Sequence, residues 1–84
     1  STDILDVKFP LDDDTKNAAR FVVSHGFTST SDLQRHLGMG YAKARRIMDT
    51  LERLGIVGPS TASGRTLLVH DLDELEKILD NRDQ

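Results

Sequence analysis

The sequence predicts a mainly helical α+β domain: a winged helix-turn-helix with a small three-stranded sheet and an additional C-terminal helix. Three observations support this fold class. Two helical patterns lie on either side of residues 38–40, which is typical of a helix-turn-helix. Two short apolar segments then surround a turn of small residues, which indicates a β-hairpin. The last segment, residues 71–84, repeats leucine at helical spacing.

The size of the chain limits what it can do. Its 84 residues suffice for one domain, and a chain of this length buries roughly 60–65% of its unfolded surface. That supports one core but leaves little room for a catalytic pocket. Cysteine is absent, which excludes disulfides and Cys-based metal sites. No apolar run approaches the ~20 residues that span a bilayer. We therefore expect a cytoplasmic domain without membrane contact, although its parent protein can be membrane-anchored.

Residues 1–12 form an acidic lead-in that is interrupted by Pro10. Residues 12–14 are three aspartates in front of a helical pattern that ends at Gly26. We interpret these carboxylates as caps that complement the positive end of the helix. A hard-cation site is the weaker alternative. The apolar face of this first helix is predicted to contain Ala18, Phe21, Val22 and His25.

The helix-turn-helix follows a short β-branched segment, residues 27–30, which predicts the first strand. Ser31 and Gln34 have the spacing of a capping box, so the second helix is expected to begin there and to end at Gly38. Its inward side chains are predicted to be Leu33 and Leu37. A longer helix follows from about residue 41 to residue 54, with an apolar stripe of Ala44, Ile47, Met48, Leu51 and Leu54.

The segment after the longer helix changes to strand-like composition. Residues 56–59 and 65–70 are the two apolar arms, and residues 60–64 are the turn between them. A hairpin in this position would be a wing, and residues 27–30 would complete its three-stranded sheet. Residues 71–84 then predict an acidic amphipathic helix that packs on the domain. The alternative is a helix that binds a protein partner.

Charge is distributed unevenly along the chain. The formal net charge is −3, yet residues 15–70 contain eight basic residues against three acidic ones. A DNA phosphate senses mainly the charges within a Debye length, about 8–10 Å. The basic middle of the chain, residues 13–70, is therefore a candidate domain for binding double-stranded DNA, between the acidic lead-in and the acidic C-terminal helix.

The outer face of the longer helix contains the candidate DNA contacts. With Ala44 on the core side, an advance of about 100° per residue places Ala42 and Arg46 outward and Lys43 and Arg45 on the flanks. Arg or Lys on a helix in the major groove can donate to guanine O6 and N7. The residues predicted to contact bases are Arg46, Lys43 and Ala42. Those predicted to contact the DNA backbone are Arg35, His36, Tyr41, Arg45 and Arg65. The alternative for each basic residue is a solvated surface charge, and for Tyr41 a packing role.

Two stretches, LQRHLGMGYAKARRIMDTLERLGIVGP (residues 33–59) and GRTLLV (residues 64–69), resemble the C-terminal gamma domain of the FtsK/SpoIIIE DNA translocases. The similarity covers residues 15–70. Its most specific parts are the Gly-Tyr at residues 40–41 followed by Lys43, Ala44 and Arg46, and the Gly-Ile-Val-Gly-Pro at residues 55–59. Three positions depart from the family pattern: Ala42 stands for Asn, Arg45 for Ala, and Thr66 for Glu.

The resemblance implies a domain that binds short oriented DNA repeats and so recruits or orients a hexameric ATPase motor. The parent could be a chromosomal or a plasmid-transfer translocase. The sequence lacks the phosphate-binding loop motif of such a motor, and its three histidines have neither metal-ligand spacing nor a nucleophile partner. We expect no enzymatic activity and no cofactor. The alternatives are a free-standing transcriptional regulator and a protein-binding winged helix.

Overall fold

The computed structural model describes residues 11–83, with side chains to residue 81. The acidic lead-in predicted for residues 1–12 therefore falls mostly outside the described residues. Four helices form the described fold: α1 (Asp13–His25), α2 (Thr30–Leu37), α3 (Tyr41–Arg53) and α4 (Leu72–Asp83). Helix α2 packs against α3, and α1 packs against both α3 and α4.

The helix ends follow local signals, with one correction. Asp12 caps α1 by accepting a hydrogen bond from the backbone N–H of Thr15 at 2.8 Å, as its position predicts. Helix α2 is capped by Ser29, whose Oγ accepts from the Asp32 N–H at 3.1 Å. The capping box predicted at Ser31 is therefore wrong, because the helix begins one residue before it. Gly26 and Gly38 end α1 and α2 at φ angles of 75° and 66°, which glycine adopts without steric cost.

One apolar core joins all four helices. The stripe predicted for α3 is confirmed at Ala44, Ile47, Met48 and Leu51, all buried. Leu33 of α2 is also buried, but Leu37 is 36% exposed, contrary to the prediction that it faces inward. Helix α1 turns Ala19 and Val23 inward and leaves His25 exposed, so its buried face is rotated from the predicted one. The remaining core side chains are Ala18, Val22, Ile56, Val57, Val69, Leu75 and Leu79.

The three-stranded sheet predicted from the sequence is wrong. Within residues 11–83, β-pairing is limited to two isolated antiparallel bridges, Val57 with Leu67 and Thr61 with Gly64. Residues 27–30 supply no strand, because Ser29 caps α2 and Thr30 begins it. The hydroxyl of Thr28, rather than a backbone group, donates to the Arg65 carbonyl at 2.9 Å. Residues 58–66, here named the 58–66 loop, therefore fold back against the helices without a sheet.

Helix α4 packs on α1, as expected for an amphipathic C-terminal helix. Leu75 and Leu79 are buried in the core. Arg20 of α1 donates to both carboxylate oxygens of Glu76, from Nε at 2.8 Å and from Nη2 at 3.0 Å. Leu72, at the start of α4, is 46% exposed, but Leu75 and Leu79 are already covered by their own domain. These contacts favour a packing role over the protein-partner alternative.

Candidate nucleic-acid interface

The N-terminal half of α3 is positioned by a short connection from α2. Gly38 ends α2, and the carbonyl of Gly40 accepts the first hydrogen bond of α3 from the Ala44 N–H at 3.0 Å. Ala44 and Ile47 then fix the inward side of the helix in the core. The opposite side of the first two turns consequently faces solvent, as an α-helix period requires.

Ala42 and Arg46 lie on this exposed side. The Arg46 carbonyl accepts a hydrogen bond from Thr50 Oγ1 at 3.0 Å, within the helix. Among the described residues, the Arg46 guanidinium makes no hydrogen bond or ion pair that would hold it against the domain. The side chain that the sequence favours most strongly for base contact is thus available to an incoming ligand.

Lys43, on one flank of the exposed face of α3, contacts α1. Its Nζ forms an ion pair with a carboxylate oxygen of Asp14. The two side chains remain 40% and 56% exposed, so the contact lies at the surface. Lys43 therefore faces solvent only in part, and its charge is partly compensated within the domain.

Arg45, on the other flank, belongs to a surface cluster with Tyr41 and Asp49. Arg45 Nη1 lies 3.3 Å from the Tyr41 hydroxyl, and its Nε lies 3.6 Å from Asp49 Oδ1 one turn further along. The Tyr41 hydroxyl and the Asp49 carboxylate raise the pKa of Arg45 further above its ordinary value. Tyr41 is itself 58% exposed, which does not fit the packing alternative.

The two candidates on α2 have different neighbours. Arg35 is exposed and pairs with Asp32 at 2.9 Å. His36 stacks on Phe27, with ring centroids 5.1 Å apart, and lies 5.5 Å from Phe21. His25 joins the same group of rings through Phe21 at 4.7 Å. His36 is therefore part of an aromatic cluster at the surface, a contact that the sequence did not indicate.

Arg65 of the 58–66 loop is held most tightly of the predicted residues. Its side chain is 7% exposed. Nη1 donates to Glu52 Oε1 at 2.9 Å and to the Gly58 carbonyl at 3.0 Å, and Nη2 lies 3.5 Å from Asp49. These contacts attach the loop to α3, so the guanidinium predicted to reach DNA has a structural role in the isolated domain.

A polar cleft of about 440 Å³ separates the loop from the helices. It lies between the start of α2, the first turns of α3 and the loop tip. Its lining includes the hydroxyl-bearing residues Ser29, Tyr41 and Ser63 together with Arg45, and also the carboxylate of Asp32. The cleft places hydroxyl donors and one exposed guanidinium beside the outer face of α3.

Sequence reasoning missed the carboxylates that engage the basic residues. Asp14, Asp49 and Glu52 contact Lys43, Arg45 and Arg65. The spacing of Arg45 and Asp49 at i and i+4 indicates their pair in advance. The other two pairs span 29 and 13 residues, and no local pattern signals them.

Comparison with known proteins shows the family of the chain. The Ftsk gamma domain family model matches residues 10–70. The chain belongs to the FtsK gamma domain family. The match ends at residue 70, so α4 lies outside the part that the family model covers. No solved structure matches this chain.

Curated relatives agree with this family. A DNA translocase FtsK of Streptomyces avermitilis is 50% identical over 62 residues, which are 74% of this chain and 7% of the relative. The protein of the same name from Chlorobaculum tepidum is 46% identical over 69 residues, 81% of this chain and 9% of the relative. A third, from Mycobacterium tuberculosis, is 50% identical over 74% of this chain and 8% of the relative. The chain therefore spans less than a tenth of these relatives. None of the described helices is long and apolar enough to cross a membrane.

Proposed function

We propose that this domain binds double-stranded DNA with the N-terminal half of α3 in the major groove. The observation that carries the proposal is the exposed face around Arg46, whose guanidinium makes no hydrogen bond or ion pair with the described residues. Recognition helices use their N-terminal residues to reach base edges. Ala42, Lys43 and Arg46 lie in the first two turns of α3, and two of them have cationic side chains that can donate to base edges.

Arg46 and Lys43 are the proposed base contacts. The forked guanidinium of Arg46 matches the two major-groove acceptors of guanine better than an ammonium does. Ala42 lies on the same face and leaves room for close approach to a base, including the methyl group of thymine.

The backbone contacts surround this face. Arg35, His36, Tyr41 and Arg45 are proposed to bind phosphates, contacts that fix register without specifying sequence. Tyr41 and Arg45 are exposed on α3 itself, and Arg35 and His36 are exposed on α2, which packs against α3. The cleft beside Arg45 supports this role, because it offers hydroxyl donors next to a cation. Arg65 belongs to the same proposed set, but its carboxylate partners leave it the least available member.

The wider role follows from the family. The relatives are named DNA translocases, and this chain matches only a small part of each. We propose that the domain is tethered to a hexameric ATPase motor and recruits or orients it on short oriented DNA repeats. The expected setting is the cytoplasm, in chromosome segregation or alternatively in plasmid transfer by conjugation.

A binding selection tests the proposal. The domain is incubated with a library of random double-stranded DNA at fixed salt, and the bound DNA is sequenced after several rounds. We expect enrichment of one short non-palindromic word, with an affinity that falls steeply as salt rises. Binding that is independent of salt would contradict DNA recognition, and a palindromic word bound by a stable dimer would favour the free-standing regulator.

A further inference from the structure

The carboxylates at the start of α1 lie beside the face of α3 that is proposed to bind DNA. Asp14 forms an ion pair with Lys43, although 29 residues separate the two in the sequence. The packing of α1 against α3 brings them together. Lys43 therefore has a counter-ion from another helix at the position where a DNA acceptor would approach.

Asp12 adds negative potential to the same place. Its pKa is lowered first by the hydrogen bonds from Thr15, and also by the positive charges of Lys43 and Arg46. The charge of Asp13, between the two, acts on Arg20 instead. The three consecutive aspartates thus have different neighbours: Asp14 contacts Lys43, Asp12 accepts from the Thr15 N–H and is influenced by Lys43 and Arg46, and Asp13 influences Arg20.

We propose that Asp14 is an intramolecular competitor of DNA for Lys43. In the free domain Asp14 holds the ammonium, and on binding Lys43 exchanges this carboxylate for a phosphate or base oxygen. The inference rests on the proposed DNA-binding function and adds a residue that restrains it. Asp14 would lower the affinity for any duplex that Lys43 contacts, and so limit retention of the domain on random DNA.

The expected size of the effect follows from the exposure of the pair. Exposed ion pairs change an equilibrium constant by a factor of about 1.4 to 5. Because added salt weakens the interaction between exposed charges, the effect should be largest at low ionic strength. Asp14 is therefore expected to moderate binding without abolishing it.

The test uses a charge-matched control. Asp14→Asn and Asp13→Asn each remove one negative charge from the first turn of α1, but only Asp14 contacts Lys43 among these two. Both variants, the wild type, Lys43→Ala and the double variant Asp14→Asn/Lys43→Ala are titrated onto one fluorescently labelled duplex of random sequence. Fluorescence anisotropy gives each Kd at about 0.05 M and about 0.2 M salt.

We expect Asp14→Asn to bind about 2- to 5-fold more tightly than Asp13→Asn at the lower salt concentration. In the Lys43→Ala background, Asp14→Asn should increase the affinity for the duplex no more than Asp13→Asn does, since only the loss of one negative charge then remains. Asp14→Glu, which keeps the negative charge, should bind like the wild type. Far-ultraviolet circular dichroism checks that each variant retains its helices.

Two results would overturn the inference while leaving DNA binding intact. One is an equal gain from Asp14→Asn and Asp13→Asn, which would indicate net charge alone. The other is an equal gain from Asp14→Asn with and without Lys43, which would indicate direct repulsion between Asp14 and DNA. If neither the wild type nor any variant shows salt-dependent binding to DNA, the proposed function itself fails.

Discussion

The outer face of α3 and the 58–66 loop each present an arginine that the sequence assigns to DNA, but the structure treats the two differently. Arg46 is exposed on α3, and its guanidinium makes no hydrogen bond or ion pair with the described residues. Arg65 is 7% exposed at its side chain and bound to Glu52 and Asp49. By charge alone, Arg46 and Arg65 would be equally good candidates for contacting DNA. Their surroundings show that availability, rather than charge, distinguishes a candidate ligand contact from a structural one.

The largest expected difference between the two regions is in stability. Arg65→Ala removes a nearly buried donor and leaves the Gly58 carbonyl and the Glu52 carboxylate without this partner, while Asp49 keeps its contact with Arg45. We expect the free energy of unfolding to fall by about 1–3 kcal/mol. Arg46→Ala is the matched control, and as a surface substitution it should change that free energy by less than about 0.5 kcal/mol. Urea unfolding followed by circular dichroism measures both. Equal losses would show that Arg65 is no more structural than Arg46.

For DNA recognition we expect the opposite: the substitution at Arg46 should have a larger effect than the substitution at Arg65. Arg46→Ala should weaken binding to the preferred duplex by about 1–3 kcal/mol and flatten the preference at one G·C position. Arg46→Lys should retain the affinity for random DNA yet lose much of that preference, because an ammonium cannot make the forked contact. Binding selections with the wild type and both variants at fixed salt measure this. If the variants select the same word with equal stringency, Arg46 does not contact a base.

The salt dependence of binding sharpens the comparison at the phosphate contacts. If Arg45 binds one phosphate, Arg45→Ala should reduce the slope of log K against log salt by about 0.9, to a similar extent on all sequences. Arg65→Ala should reduce it by less, since two carboxylates already engage that guanidinium. A full reduction for Arg65→Ala would mean that Arg65 leaves Glu52 and Asp49 to contact DNA. A loss confined to particular sequences would assign it to bases.

The smallest expected effect comes from an ion pair remote from both regions. The hydrogen bonds from Arg20 hold the pKa of Glu76 below its ordinary value of 4.5. A carboxylate with a lowered folded-state pKa stabilises the fold above its unfolded-state pKa, and the contribution disappears as pH falls through the folded-state value. Because both side chains are more than 40% exposed, we expect about 0.2–1 kcal/mol. In urea unfolding, Glu76→Gln should remove this contribution near pH 7 and make little difference at a pH low enough to protonate Glu76 in the folded state.

The Arg20–Glu76 ion pair also allows the effect of α4 on DNA binding to be tested without unfolding the domain. Deleting residues 71–84 would remove Leu75 and Leu79 from the core, so lost folding would obscure any effect on DNA. Glu76→Gln instead changes charge on α4 and leaves both leucines in place. If the acidic charge of α4 repels DNA phosphates, Glu76→Gln should bind random DNA more tightly than the wild type, and an unchanged affinity would argue against this effect.

The sequence by itself determined the presence and order of the four helices, the buried stripe of α3 and the family. Helical periodicity, the Gly26 and Gly38 ends and the Asp12 cap are local signals, because each depends on residues within one or two turns. The exposed position of Arg46 follows from the same periodicity once Ala44 is placed in the core. These features therefore needed no knowledge of how the helices pack.

Only the tertiary structure decided the pairing of distant segments. The composition of the predicted hairpin indicated a sheet. Residues 27–30 add no strand to it, because the Thr28 hydroxyl donates to the Arg65 carbonyl and Ser29 caps α2, which begins at Thr30. Likewise, Asp14 meets Lys43 and Glu52 meets Arg65 because α1 and the 58–66 loop pack against α3. Periodicity specifies which face of an element is apolar, but the polar partner across an interface depends on the relative placement of two elements. That placement is set by the shared core.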